Sequence, residues 1–287
     1  MLLKTAGVLG TASLFTLSDS SYANPLRQSA SGAKLNGRLK QSACRWCYQK
    51  VPLEDLAKFA SEIGLKGIDL LNDPSDWPVV KKYGLIPTMV SGAGTIPDAC
   101  NRKDLHDKLE KEFETNIPRA AENSVPNVIT FSGNRKGMSD GEGLENTVTM
   151  LNRVKGLAEK HNVTICLELL NSKIDHKDYM CDHTAWGAEV IKRVNSPRVK
   201  LLFDIYHMQI MEGDIIRTIR QNFQYIAHFH TGGVPGRNEI DDTQELNWRT
   251  VMKAIADLGF QGYVAHEFLP KHDPLTSLRE AVMLCDV

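Results

Sequence analysis

Four short apolar stretches in the second half of the chain each end in a side chain that can bind a cation. They are Val163-Thr164-Ile165-Cys166-Leu167-Glu168, Val199-Lys200-Leu201-Leu202-Phe203-Asp204, Tyr225-Ile226-Ala227-His228-Phe229-His230 and Tyr263-Val264-Ala265-His266-Glu267. Each is bounded by turn or helix signals and reads as a buried strand. Consecutive strands that deliver oxygen, oxygen, nitrogen and oxygen at their C-terminal ends constrain the fold strongly. They suggest one metal site at the mouth of a parallel barrel.

The rest of the chain fits that reading. Residues 39–44 read as a weak first strand, 67–71 as a second, 85–90 as a third and 128–132 as a fourth. Pro87 is tolerable in the third only near an end or an irregularity. Helices are expected over residues 52–63, 75–83, 104–123, 144–160, 183–194, 213–222, 247–258 and 274–284. Pro118 should bend or break the longest charged one, and residues 133–143 read as a polar loop. Ile63-Gly64-Leu65-Lys66-Gly67-Ile68 is echoed by Leu258-Gly259-Phe260-Gln261-Gly262-Tyr263, so one helix-to-strand connection recurs early and late. Eight strand–helix pairs select a single-domain α/β fold, the (β/α)8 TIM barrel, over an open doubly wound sheet. No G-x-G-x-x-G dinucleotide turn follows the first strand.

Composition sets the outer bounds. The 287 residues are 42% hydrophobic and 24% charged with a formal net charge of -1, which is ordinary for a globular chain and offers no basic surplus for nucleic acid. Residues 39–287 hold the barrel. Ahead of them, Lys4 precedes a largely apolar run from Thr5 to Leu17, and Ser21-Tyr22-Ala23-Asn24 fits a small-x-small cleavage site. Residues 1–23 therefore read as an export signal, which makes the protein periplasmic. The start resembles the tail of a twin-arginine signal, although no arginine pair is present. The run is too short to span a membrane. Residues 24–38 read as a flexible linker. Among six scattered cysteines, Cys44 and Cys47 form a C-x-x-C at the end of the first strand, away from the helix start that redox chemistry uses.

In a parallel barrel the active site lies at the C-terminal mouth. Glu168, Asp204, His230 and Glu267 would there form an oxygen-dominated set with one imidazole. That set suits one divalent cation of the Mn²⁺, Mg²⁺ or Co²⁺ type better than a structural zinc. Strand alternation turns Thr164 and Cys166 the same way as Glu168, and His228 the same way as His230. His228 is then a second layer behind the metal or a barrel-filling group. Asn171 and His176 lie in the loop after the fifth strand, where they either touch substrate or are solvated loop residues, and Trp46 follows the first strand, where it either walls the pocket or packs in the core. Residues 232–247 form a long loop that either closes over substrate or is ordinary surface.

These residues carry a resemblance over residues 39–285. The order Glu, Asp, His, Glu at four strand ends is similar to the xylose isomerase-like barrel superfamily of sugar isomerases and epimerases. Leu167-Glu168-Leu169-Leu170-Asn171, Phe203-Asp204-Ile205-Tyr206-His207, His230-Thr231-Gly232-Gly233-Val234-Pro235-Gly236-Arg237 and His266-Glu267-Phe268 resemble hydroxypyruvate isomerase and its relatives. Some hydroxypyruvate isomerases carry Gln where this chain has His230, which moves the site toward the ketose-epimerase type. The resemblance implies an isomerase or epimerase that moves a proton through an enediolate of a small hydroxycarbonyl or sugar. It implies that Glu168 and Glu267 are both ligands and the acid–base pair, and that His207 and Arg237 hold a substrate oxygen. Two rival readings remain at this stage: an endonuclease-IV-like phosphodiesterase, and an exported, metal-stabilised sugar-binding protein without turnover. A homodimer is neither required nor excluded by the sequence.

Overall fold

The computed structural model describes residues 35–287. Its strands are β1 (Lys40–Cys44), β2 (Gly67–Asp69), β3 (Ile86–Pro87), β4 (Val90–Ala93), β5 (Asn127–Thr130), β6 (Thr164–Glu168), β7 (Val199–Asp204), β8 (Ile226–Thr231) and β9 (Tyr263–His266). They are all parallel, and β1 pairs with β9, Ser42 opposite Ala265, which joins the first stave to the last. β3 pairs with β2 and β4 pairs with β5, so these two are halves of one stave interrupted at Thr88 and Met89. Eight staves and their helices make the expected (β/α)8 TIM barrel. The interruption is the irregularity that Pro87 demanded: it closes β3, where its missing N–H removes no ladder bond beyond.

The helices are α1 (Leu53–Glu62), α2 (Trp77–Lys82), α3 (His106–Glu122), α4 (Asp140–His161), α5 (Thr184–Val194), α6 (Ile205–Met211), α7 (Ile215–Asn222), α8 (Trp248–Asp257) and α9 (Pro274–Cys285). Three elements depart from expectation. Helix α3 continues past Pro118 without a break, with Phe113, Ile117 and Ala120 buried on its inner face. Helix α4 begins at Asp140, inside the expected polar loop, because the Ser139 hydroxyl accepts the Glu142 amide as an N-cap. Helix α6 was not anticipated. It starts directly at the end of β7, where the Asp204 carboxylate accepts the His207 amide.

Two apolar layers hold the barrel. The larger lies between staves and helices and includes Leu56, Phe113, Leu151, Ile191, Phe229 and Val282. The smaller, Met89, Ile129, Cys166 and Leu202, plugs the interior. Residues 1–23 and most of the linker lie outside the described residues. Its last residues are held: the Asp286 carboxylate accepts the amides of Asn36 and Gly37 at 2.7 and 3.0 Å, and Arg38 pairs with Asp257 at 2.8 Å. No helix among the described residues is long and apolar enough to cross a membrane.

The repeated connection has a steric explanation. Gly64 and Gly259 both sit at positive φ, 88° and 75°, where each ends a helix in a left-handed turn. Gly67 and Gly262 then start strands so close to the neighbouring stave that a Cβ would stand 2.2 Å from the Ile86 carbonyl oxygen or 2.3 Å from that of Ala227. One glycine turns the chain and the next lets two backbones touch. Gly262→Ala should therefore lower stability by about 1–3 kcal/mol, the usual cost of over-packing, or about 2–4 °C of melting temperature per kcal/mol at this size. Gly156→Ala in α4, where a Cβ meets nothing within 4 Å, is the control and should not destabilise. Thermal denaturation of both variants checks the pair.

Candidate active site

Glu168 ends β6, Asp204 ends β7, His230 lies near the end of β8 and Glu267 follows β9. Asp204 and His230 face each other as Cα partners in adjacent staves. The four side chains are buried, and one ligand atom of each lies within 4.8 Å of the others. His230 Nδ1 is 2.6 Å from Glu267 Oε2, 3.4 Å from Glu168 Oε1 and 4.0 Å from Asp204 Oδ2. It makes a directed hydrogen bond to none of them. An imidazole nitrogen aimed at three carboxylates without a hydrogen bond, in a buried set of hard oxygens, fits a divalent cation.

The electrostatics carry the signature of crowded buried acids. Burial pushes Glu168 up to about 7 against the pull of His230, with Glu267 adding to the rise. Burial likewise pushes Asp204 up to about 6, against the pull of Arg237. Burial pushes Glu267 up too, but Arg237 and His230 outweigh it and hold the carboxyl at about 2. Burial opposes a charge on His230, yet Glu267 above all keeps its pKa well above the ordinary imidazole range.

Arg237 and His207 stand beside this cluster. Arg237 Nη2 donates to Asp204 Oδ2 at 2.8 Å and also to Glu267 Oε2. Its guanidinium lies 4.9 Å from the Tyr206 ring centroid and 5.7 Å from that of Trp46. A tight turn aims it: Gly233 pairs with Asn238, and the Arg237 carbonyl accepts the Leu269 amide at 2.7 Å. The first part of the 232–247 segment is thus a built support for Arg237. His207 is fully buried on α6, and burial, then Arg237, push its pKa well below the usual range, so it is neutral. Asn171 Oδ1 accepts the amides of Ile174 and Asp175, which turns its Nδ2 toward His207 Nδ1 at 2.6 Å. His207 Nε2 lies 2.6 Å from Arg237 Nη1, and because Asn171 Nδ2 and the guanidinium are both donors, the single lone pair of the neutral ring can answer only one of them. The guanidinium and the imidazole together form a polar corner beside the acids.

The softer candidates also gather here. Trp46 Nε1 donates to Glu267 Oε1 at 2.6 Å, so the indole orients that carboxylate as well as walling the mouth. Asn171 acts through His207, and the His176 ring lies 5.3 Å from the His207 ring. His228 sits behind His230, 3.3 Å from Asp69 Oδ1. Cys44 and Cys47 are free thiols, Cys44 buried under the site. Sequence reasoning missed Asp69, whose carboxylate reaches both histidines of β8, and Tyr206, whose hydroxyl donates to Asp175 at 2.8 Å. The signal for Asp69 existed. β2 ends at Asp69 and stops short of Leu71, so it repeats the strand-ending-in-an-acid design.

A closed parallel barrel with buried acids and an imidazole at its C-terminal mouth is the architecture of a barrel enzyme with its chemistry at the strand ends. The chain belongs to the Xylose isomerase-like TIM barrel family, whose model matches residues 48–285. A human protein provisionally named hydroxypyruvate isomerase is 28% identical over 238 residues, 81% of this chain and 80% of that protein. D-psicose 3-epimerase of Ruminiclostridium cellulolyticum is 34% identical over 127 residues, 43% of this chain and 40% of that protein. The solved structure of an AP endonuclease, family 2, from Brucella melitensis superposes with a TM-score of 0.75 at 22% identity, over 84% of this chain and 97% of that one. The last likeness is one of fold. By kinship the chain is an enzyme of the isomerase or epimerase kind.

Trp46→Phe removes the indole N–H from Glu267 while keeping an aromatic wall. A hydrogen bond to a charged group contributes about 1.5–3 kcal/mol, so turnover should fall about tenfold or more. Steady-state kinetics and an unchanged circular dichroism spectrum check this.

Proposed function

We propose that the protein binds one divalent cation (Mn²⁺, Mg²⁺ or Co²⁺) through Glu168, Asp204, His230 and Glu267, and isomerises or epimerises an α-hydroxycarbonyl compound of the hydroxypyruvate or small-ketose type. The observation that carries this reading is the placing of two buried glutamates on staves either side of Asp204 and His230, next to the hydrogen-bonded His207–Arg237 pair. When bound, the cation supplies Lewis-acid stabilisation of negative charge on oxygen.

The residues divide the remaining work. One glutamate takes the proton from the hydroxyl-bearing carbon; the C–H electron pair becomes the carbon–carbon π bond while the carbonyl π pair moves onto its oxygen, giving an enediolate. The other glutamate returns a proton to the neighbouring carbon or to the opposite face. His207 and Arg237 donate to the oxygen on which charge develops. The low exposure of all six side chains keeps water from the intermediate. The names of relatives support an isomerase or epimerase, and the donor set supports the cation. Residues 1–23 are proposed to direct export, and N-terminal sequencing of the mature protein from a periplasmic fraction tests that.

Protein stripped with a chelator should lose activity and regain it with Mn²⁺. In heavy water the loaded enzyme should exchange a substrate C–H for deuterium on at least one of hydroxypyruvate, four- to six-carbon ketoses and 3-keto sugars, read by NMR. Glu267→Gln should lower that exchange at least about 100-fold, the usual contribution of a positioned base, with the barrel still folded. Tight sugar binding with no exchange on any compound would instead favour the non-catalytic binding protein.

A further inference from the structure

Behind the cluster lies a buried carboxylate that the proposed chemistry does not use. Asp69 is fully buried at the end of β2, level with Cys44 of β1. Its Oδ2 is hydrogen-bonded to His230 Nε2 at 3.0 Å. Its Oδ1 accepts the Thr88 hydroxyl at 2.5 Å and lies 3.3 Å from His228 Nε2. Thr88 stands at the break between β3 and β4, and its own amide donates to the Ile68 carbonyl at 3.0 Å. The irregular stave thus presents a hydroxyl where a regular one would continue its ladder.

We propose that Asp69 is a positioning residue that fixes the hydrogen of His230 on Nε2 and so aims the Nδ1 lone pair at the space shared by Glu168, Asp204 and Glu267. A histidine that ligates a cation must be neutral, whatever proton it holds before the cation binds; it then has one N–H and one lone pair, and the partner of one nitrogen decides which is which. A carboxylate only accepts, so the nitrogen facing Asp69 must carry the hydrogen. The other nitrogen is the one that lacks a hydrogen bond. A carboxylate behind a ligating histidine also fixes the ring plane and raises its basicity. Thr88 in turn holds Asp69. The proposal rests on the cation reading given above. A different use of the same atoms is conceivable, because Asp69, His228 and His230 could themselves group around an ion. The two uses differ in stoichiometry.

Calorimetric titration of chelator-stripped protein with Mn²⁺ tests this, together with ¹⁵N–¹H correlation of the histidine side chains in the Mg²⁺-loaded protein. Wild type should take one equivalent and show His230 with its hydrogen on Nε2. Asp69→Asn should bind Mn²⁺ about 10- to 100-fold more weakly and lose the single tautomer. Thr88→Val, a milder change, should weaken binding about threefold or more through loss of one hydrogen bond to a charged group, and it keeps the test open if Asp69→Asn fails to fold. Unchanged affinity and tautomer in these variants would overturn the role of Asp69 alone. Two equivalents in wild type with one lost in Asp69→Asn would replace it with a second ion site. A wild type that takes up no divalent cation would overturn the cation reading, and this inference with it.

Discussion

Three carboxylates buried within a few ångströms of one another are the constraint on which the rest of this structure depends. Like charges in a poorly hydrated space repel, and each pays for desolvation unless something answers it. Nearly every feature of the mouth is such an answer. Asp204 turns one oxygen to the first turn of α6, where free backbone amides favour an anion. Glu267 receives the Trp46 indole on one oxygen and Arg237 on the other. His230 stands among all three acids with Asp69 behind it. Glu168 has fewest partners and the most raised pKa of the three, about 7.

The barrel makes such crowding affordable in conformational terms. Side chains at parallel strand ends converge without any long loop having to be ordered, so the entropy of placing them is already met by the sheet. That explains why the candidate ligands come from four consecutive staves, and why their supports come from elsewhere. Trp46 and Asp69 belong to the first two staves, and Arg237 to a turn pinned against the residues that follow β9. The site is therefore tied around nearly the whole ring, with the interior plug of Met89, Ile129, Cys166 and Leu202 beneath it.

Much of this was legible in the chain because period and position coincide in a barrel. A strand buried on both faces reads as an apolar run, and its last residue is marked by the change to polarity, so Glu168, Asp204, His230 and Glu267 announced themselves. The paired glycines around residues 64–67 and 259–262 betrayed a repeated turn. What was not legible depended on contacts between distant residues. Asp69 was hidden because Leu70 and Leu71 continue its apolar run, while the backbone turns away at Leu70 with φ of 50°. Helix α6 was missed because Asp204 serves two purposes, ligand candidate and N-cap, and only the first showed in the strand pattern. The split third stave was signalled by Pro87, but nothing local said that Thr88 would turn its hydroxyl to Asp69.

The likeness to an AP endonuclease fold shows why the site must decide what the fold cannot. A phosphodiester substrate on nucleic acid asks for a basic approach surface, yet the chain has 34 Lys and Arg against 35 Asp and Glu. The mouth offers instead one guanidinium between two aromatic rings and one neutral imidazole beside it. That pair can seat a single oxygen but cannot neutralise a strand of phosphates. A guanidinium also suits an oxygen on which charge grows during a reaction, since it binds the charged form more strongly than the carbonyl. In the function proposed above, Glu168 and Glu267 serve as the acid and base of proton transfer at carbon. Recognition of one oxygen with proton movement one atom away is what that proposal asks of these side chains rather than of the barrel that carries them.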